Sequence, residues 1–134
     1  MLIWNNWKLA FDDRMPIYRQ IIIQLSQAFV RGDIPPGERI PSIREMSGFL
    51  RVNTNTIQRA YQEMERDGLI NSKRGTGYFI TDDIKVKEEI CRKLAQNSLS
   101  RFIGEMRALG YSDNIILNDL RSYIEGENNG KTGS

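Results

Sequence analysis

Apolar positions recur along this chain at two different periods, and the change from one to the other divides it. Ile17, Ile21, Leu25, Ala28 and Phe29 return at helical spacing and predict an amphipathic helix over residues 16–31. Pro16 suits the first helical position, where its missing N–H costs nothing, and Gly32 ends the run before the turn forced by Pro35-Pro36-Gly37. Ser42 and Glu45 have the spacing of a capping box and start a short helix that would bury Ile43, Met46, Phe49 and Leu50. Arg51-Val52 makes a turn, and Asn53 caps a third helix. Its apolar stripe is Ile57, Ala60, Tyr61 and Met64, with Asn55, Gln58, Arg59 and Gln62 largely opposite and Gly68 as the stop.

The period then shortens. Leu69–Ser72 and Gly77–Ile80 read as paired strands around Lys73-Arg74-Gly75-Thr76, where Gly75 and Gly77 permit the positive φ of a tight loop. A helical period returns from about residue 83 to 109, lined on one side by Ile90, Leu94, Ala95, Leu99, Phe102, Ile103, Met106 and Leu109. Gly110 breaks it, Ser112 or Asp113 recaps it, and Ile115, Ile116, Leu120 and Ile124 carry a last short helix. Residues 125–134 are polar and Gly-rich and are expected to fray, and residues 7–11 form a candidate short strand. The chain is thus expected to be mostly α with a small β-wing. Its domains are a winged helix-turn-helix over residues 1–82, a two-helix dimerisation segment over 83–125 and a flexible tail over 126–134.

Composition narrows this only a little. The net charge of +2 is too small to argue for nucleic acid, but from residue 39 to 59 the bases Arg39, Arg44, Arg51 and Arg59 face the single acid Glu45. Lys73 and Arg74 add to this patch from the hairpin. The N-terminus lacks the pattern of a secretory signal, no apolar run is long enough for a membrane span, and one cysteine fits a reducing compartment. A cytoplasmic location is the expectation.

The order of elements supplies the chemistry. In a helix-turn-helix the first helix crosses the DNA backbone while the start of the second enters the major groove. Groove-facing side chains must hydrogen-bond and be short enough to approach base edges, which Asn53, Thr54, Asn55, Thr56 and Gln58 satisfy. Arg44 is placed for a phosphate, Ser42 offers its amide or hydroxyl, and Arg59 lies farther along the second helix. Lys73, Arg74, Gly75 and Thr76, at the hairpin tip, can reach a neighbouring minor groove or its phosphates.

These segments resemble the GntR family of bacterial transcription regulators over roughly residues 16–80. The resemblance is carried by residues 16–21, 36–45, 52–61, 67–70 and 75–80, and the run Asn53-Thr54-Asn55-Thr56-Ile57-Gln58-Arg59-Ala60-Tyr61 is similar to the YtrA-like branch. Many other branches carry a Ser-Arg pair where Asn53-Thr54 stand. The resemblance implies that Arg39 and Arg44 contact the DNA backbone and that Thr54, Asn55, Thr56 and Gln58 occupy recognition positions. It also implies that Gly75 lies in the wing tip and that a homodimer reads an inverted repeat. The 52 residues after Asp82 are too few for the larger effector domains of other branches. Two helices rarely enclose a ligand pocket of about 300 Å³ or more, so their apolar stripe reads as a dimerisation surface; no cofactor is expected, and the sequence leaves the existence of a small-molecule effector open. Its expected members are Ile90, Leu94, Leu99, Phe102, Ile103, Met106 and Leu109.

Other signals fall away. Gly126–Thr132 imitates a phosphate-binding loop but has one residue too few between its glycines. Gly75-Thr76-Gly77 lacks the third glycine of a dinucleotide site. Without histidine and with one cysteine, neither a His-based triad nor a zinc cluster can be assembled. Asp12-Asp13 and Glu88-Glu89 read as helix-start or surface charge, and Cys91 as a small core or interface residue. The reading is therefore a non-enzymatic, sequence-specific DNA-binding regulator, expected to be a repressor. The alternative is a winged-helix module whose groove face contacts protein.

Overall fold

The computed structural model of the chain describes residues 11–132. Its elements are α1 (Ile17–Arg31), β1 (Arg39–Ile40), α2 (Ile43–Leu50), α3 (Thr54–Arg66), β2 (Ile70–Lys73), β3 (Gly77–Ile80), α4 (Ile84–Ala108) and α5 (Asp113–Thr132). They fall into two compact units, which meet within α4 after Leu94. The strand expected over residues 7–11 lies, except for Phe11, outside the described residues.

In the first unit, α1 begins one residue later than expected, with Pro16 as its cap. The Pro16 carbonyl accepts the Arg19 and Gln20 amides. Gly32 closes the helix at φ 91°, freeing its own N–H for Phe29 and that of Asp33 for Ala28. Ile21, Leu25, Ala28 and Phe29 enter the core, whereas Ile17, on the first turn, stays exposed. Buried Gln20 holds the preceding turn: its amide donates to the Asp12 and Met15 carbonyls and its oxygen accepts the Asp12 N–H.

The capping box at Ser42 forms as expected, and Met46 is fully buried with Ile43 and Leu50 packed beside it. Phe49 does not join them. It is 41% exposed, since it lies about 100° around the helix from Leu50 and off the packed side. Ile57, Ala60, Tyr61 and Met64 of α3 are all buried, so the predicted stripe is the packed one.

The sheet has an unforeseen third strand. β1 pairs antiparallel with β3 (Arg39 opposite Phe79, Ile40 opposite Tyr78), giving the order β1-β3-β2. Two residues are too few to show an alternating pattern. The ladder is lengthened by Gly37 N–H to the Ile80 carbonyl and Ile80 N–H to that of Glu38. β2 pairs with β3 from Ile70–Ile80 to Lys73–Gly77, one residue farther toward the turn than expected. Asp83 then caps α4 through the Lys85 amide. Val86 lies over Gly68, and Ile90 packs on the core of the same unit. Ile90, expected on a dimerisation stripe, is therefore already partly covered by its own winged domain.

The second unit holds the rest of α4 and α5. Gly110, at φ 94°, separates the helices, and Ser112 Oγ accepts the Ile115 amide at the start of α5. Arg107 and Asp113 pair across the break at 3.0 Å. Among the described residues of this unit only Ile116 is a buried hydrophobic. α5 continues to Thr132 where fraying from residue 125 was expected. A glycine inside a helix costs only about 1 kcal/mol, less than the composition of that segment suggested. Cys91 is exposed, so it is not a core residue of this chain.

Candidate nucleic-acid interface

Local capping fixes where the second helix of the motif begins. Asn53 Oδ1 accepts the Asn55 N–H at 2.7 Å, and the Asn53 carbonyl accepts those of Thr56 and Ile57. The side chains of Thr54, Asn55 and Gln58 are exposed, and Thr56 is half-buried. None of these four engages its side chain with a described residue, so their donors and acceptors remain available for a ligand.

A buried hydrogen bond ties this helix to the one before it. The Tyr61 hydroxyl donates to the Pro41 carbonyl at 2.7 Å, immediately ahead of the capping box. Burial, then the negative charges that would face it on Tyr78 and Glu45, push its phenol ionisation well above the ordinary range, so it remains a donor. The ring also meets Tyr78 edge-on at 5.0 Å, which joins α3 to β3. The sequence marks Tyr61 only as core; the period of the stripe reveals its burial but not the partner of its hydroxyl.

At the start of α2, Ser42 Oγ accepts the Glu45 N–H at 3.1 Å and Glu45 Oε1 accepts that of Ser42 at 2.9 Å. The Glu45 carboxyl is held below its ordinary range by the Ser42 backbone N–H, then by the Ser42 side chain, with a smaller contribution from the charge of Arg39. Arg44, one residue earlier than Glu45, is exposed.

Strand pairing brings Arg39 to the wing. A Cβ on Gly77, at φ 118°, would lie 3.2 Å from Arg39 Nε, so glycine provides both the backbone conformation and the space for the guanidinium. At the tip, Gly75 has φ 77°, and Thr76 N–H and Oγ bond the Lys73 carbonyl at 2.9 and 3.0 Å. Lys73 Nζ lies 4.5 Å from the centre of the Phe79 ring, whereas Arg74 projects from the turn without such a contact. Arg39, Arg44, Lys73 and Arg74 form no salt bridge with any described residue.

Arg59 differs from these in having both a ring and a carboxylate contact within the domain. Its Cζ sits 3.9 Å from the centre of the Tyr18 ring on α1, and its Nε is 4.0 Å from Glu63. The intradomain cation–π contact competes with the DNA role expected of it. The glycine-rich Gly126–Thr132 segment is helical, within α5, and so makes no phosphate-binding loop.

The fold and this array of cationic and amide side chains define a winged helix-turn-helix, a DNA-binding class of protein. The family described as "Bacterial regulatory proteins, gntR family" matches residues 17–80. The chain is 39% identical over 116 residues to the uncharacterized HTH-type transcriptional regulator YhcF of Bacillus subtilis, covering 87% of this chain and 96% of that protein. It is 41% identical over 70 residues to the HTH-type transcriptional repressor YtrA of the same organism, covering 52% and 54% of the two chains. A GntR family transcriptional regulator from Listeria monocytogenes superposes with a TM-score of 0.74 at 37% identity, covering 84% of this chain and 98% of that one.

The chain belongs to the GntR family of transcription regulators. Membership of a family of regulatory proteins favours the regulator reading over the protein-contacting alternative left open by the sequence. No helix among the described residues is long and apolar enough to cross a membrane.

Proposed function

We propose that this regulator acts in the cytoplasm as a homodimer and represses transcription by occupying an inverted-repeat operator, without catalysis. The observation that carries the dimer is the composition of the second unit. Its two helices bury only Ile116 among their described hydrophobic residues, while Leu99, Leu109, Leu117 and Tyr123 are each more than half exposed. Apolar surface on this scale favours association. Leu94, Leu99, Phe102, Ile103 and Met106 provide the face on α4, Leu109 follows directly after it, and α5 adds Leu117, Tyr123 and Ile124.

On each half-site, Thr54, Asn55, Thr56 and Gln58 read base edges, with Asn53 holding the helix start. Arg39, Arg44 and the Ser42 region hold the backbone, and Arg74, Gly75 and Thr76 bring the wing to the neighbouring groove, supported by Lys73. Two-fold symmetry places the recognition helices about one turn of DNA, or a multiple of it, apart. The similarity to a protein named a repressor supports the direction of regulation.

Protection mapping on DNA upstream of the chain's own coding sequence tests this reading. Two protected half-sites related by a dyad and overlapping the promoter are expected, with transcription falling when the protein is added. A single asymmetric footprint contradicts the dimeric operator complex, and transcription that rises contradicts repression.

A further inference from the structure

We propose that Arg51 is a further phosphate-contacting residue, holding the DNA backbone with Arg44 along one flank of α2. This rests on the reading that α2 crosses that backbone. Arg51 ends α2 at φ 55° and ψ 48°, and it is the one non-glycine residue with positive φ among the described residues. A glycine would adopt this conformation without strain. The turn around it is held in place: Val52 N–H donates to the Ser47 carbonyl at 3.2 Å, and Ser47 Oγ donates to the Val52 carbonyl. The arginine is therefore kept where the backbone favours a residue without a side chain.

Position gives that side chain a use. Residues seven apart on a helix lie within about 20° of one another around the axis and roughly 10 Å apart along it. The Cα of Arg51, set by the helical residues before it, thus falls near the flank begun by Arg44, away from buried Met46, and its left-handed φ swings the side chain outward from the helix end. Gly48 lies between them, and a Cβ added there would meet nothing within 4 Å. Packing does not require that glycine, and a helix interior favours almost any other residue. Two locally unfavourable choices therefore occur on one exposed flank: a cation at the left-handed position and a missing side chain between two cations. A phosphate backbone lying across the flank accounts for both. Arg51 is exposed and in no salt bridge with a described residue.

The test uses the full chain, Arg51→Gly and Arg51→Lys, with two short duplexes titrated across a range of salt concentrations. One is the protected upstream sequence and the other a random sequence of the same length. Arg51→Gly should melt no lower than the parent yet bind both duplexes more weakly by a similar factor, about 3- to 10-fold at low salt. The slope of log affinity against log salt should shrink by about one. Arg51→Lys should restore the slope. An Arg51→Gly protein with unchanged affinity and slope overturns the proposal, as does a loss confined to the protected sequence. If the parent itself shows no salt-dependent binding to either duplex, the DNA-binding reading fails with it, an outcome distinguishable from failure at Arg51 alone.

Discussion

Asn53 and Asn55 show how neighbouring amides divide two tasks. Asn53 is committed to the cap, while the side chains of Asn55 and Gln58 are exposed and unpaired by any described residue. Replacing Asn55 or Gln58 with alanine should therefore relax base preference, by about 1–3 kcal/mol of discrimination at one operator position, while leaving binding to random DNA nearly unchanged. Arg44→Ala should instead weaken binding to every sequence and reduce the salt slope by about one. Competition binding with single-base operator variants separates these effects. Identical preference profiles in both amide variants would defeat the recognition assignment. The cap at Asn53 and the exposure of the residues after it were legible in the sequence because both depend on residues within three or four positions. The contact of Arg59 with Tyr18 was not legible for the opposite reason: its ring partner lies on another helix, and no local spacing reports the encounter.

At the scale of elements, the angle between α2 and α3 rests on more than their apolar faces. Met46, Ile57, Ala60 and Met64 exclude water between them, but such packing tolerates small slides. The bond from the Tyr61 hydroxyl to the Pro41 carbonyl is directional and buried. Tyr61→Phe keeps the ring and leaves that carbonyl without its partner, a cost of about 1–3 kcal/mol. Thermal unfolding should detect it as a lower melting temperature; an unchanged one would show that water replaces the hydroxyl without loss. The helices and the hairpin were readable because each carries its own period and its own stop. β1 was not, since a two-residue strand exists only through its pairing with β3. The end of α5 beyond residue 125 was not legible, because a polar, Gly-rich segment has the composition of a frayed end even where the helix continues.

For the whole molecule, the division within α4 determines where the dimer claim is best tested. Val86 and Ile90 pack on the winged domain, so cutting the chain after Thr81 would remove part of the cover over that domain's core along with the second unit. A chain ending at Leu94 retains those contacts and the whole first unit. It loses Leu99, Leu109, Leu117 and Tyr123, the surface that one copy leaves uncovered. This shortened chain should sediment as a monomer at concentrations where the full chain is dimeric. Its affinity for the full operator should fall by about 10²-fold or more, because two linked half-sites gain avidity that a single domain lacks. Half-site affinity and the salt slope per domain should persist, since the phosphate-facing residues are all retained. A shortened chain that remains dimeric would move the interface onto the winged domain, and the exposed apolar residues of α4 and α5 would then require a different partner.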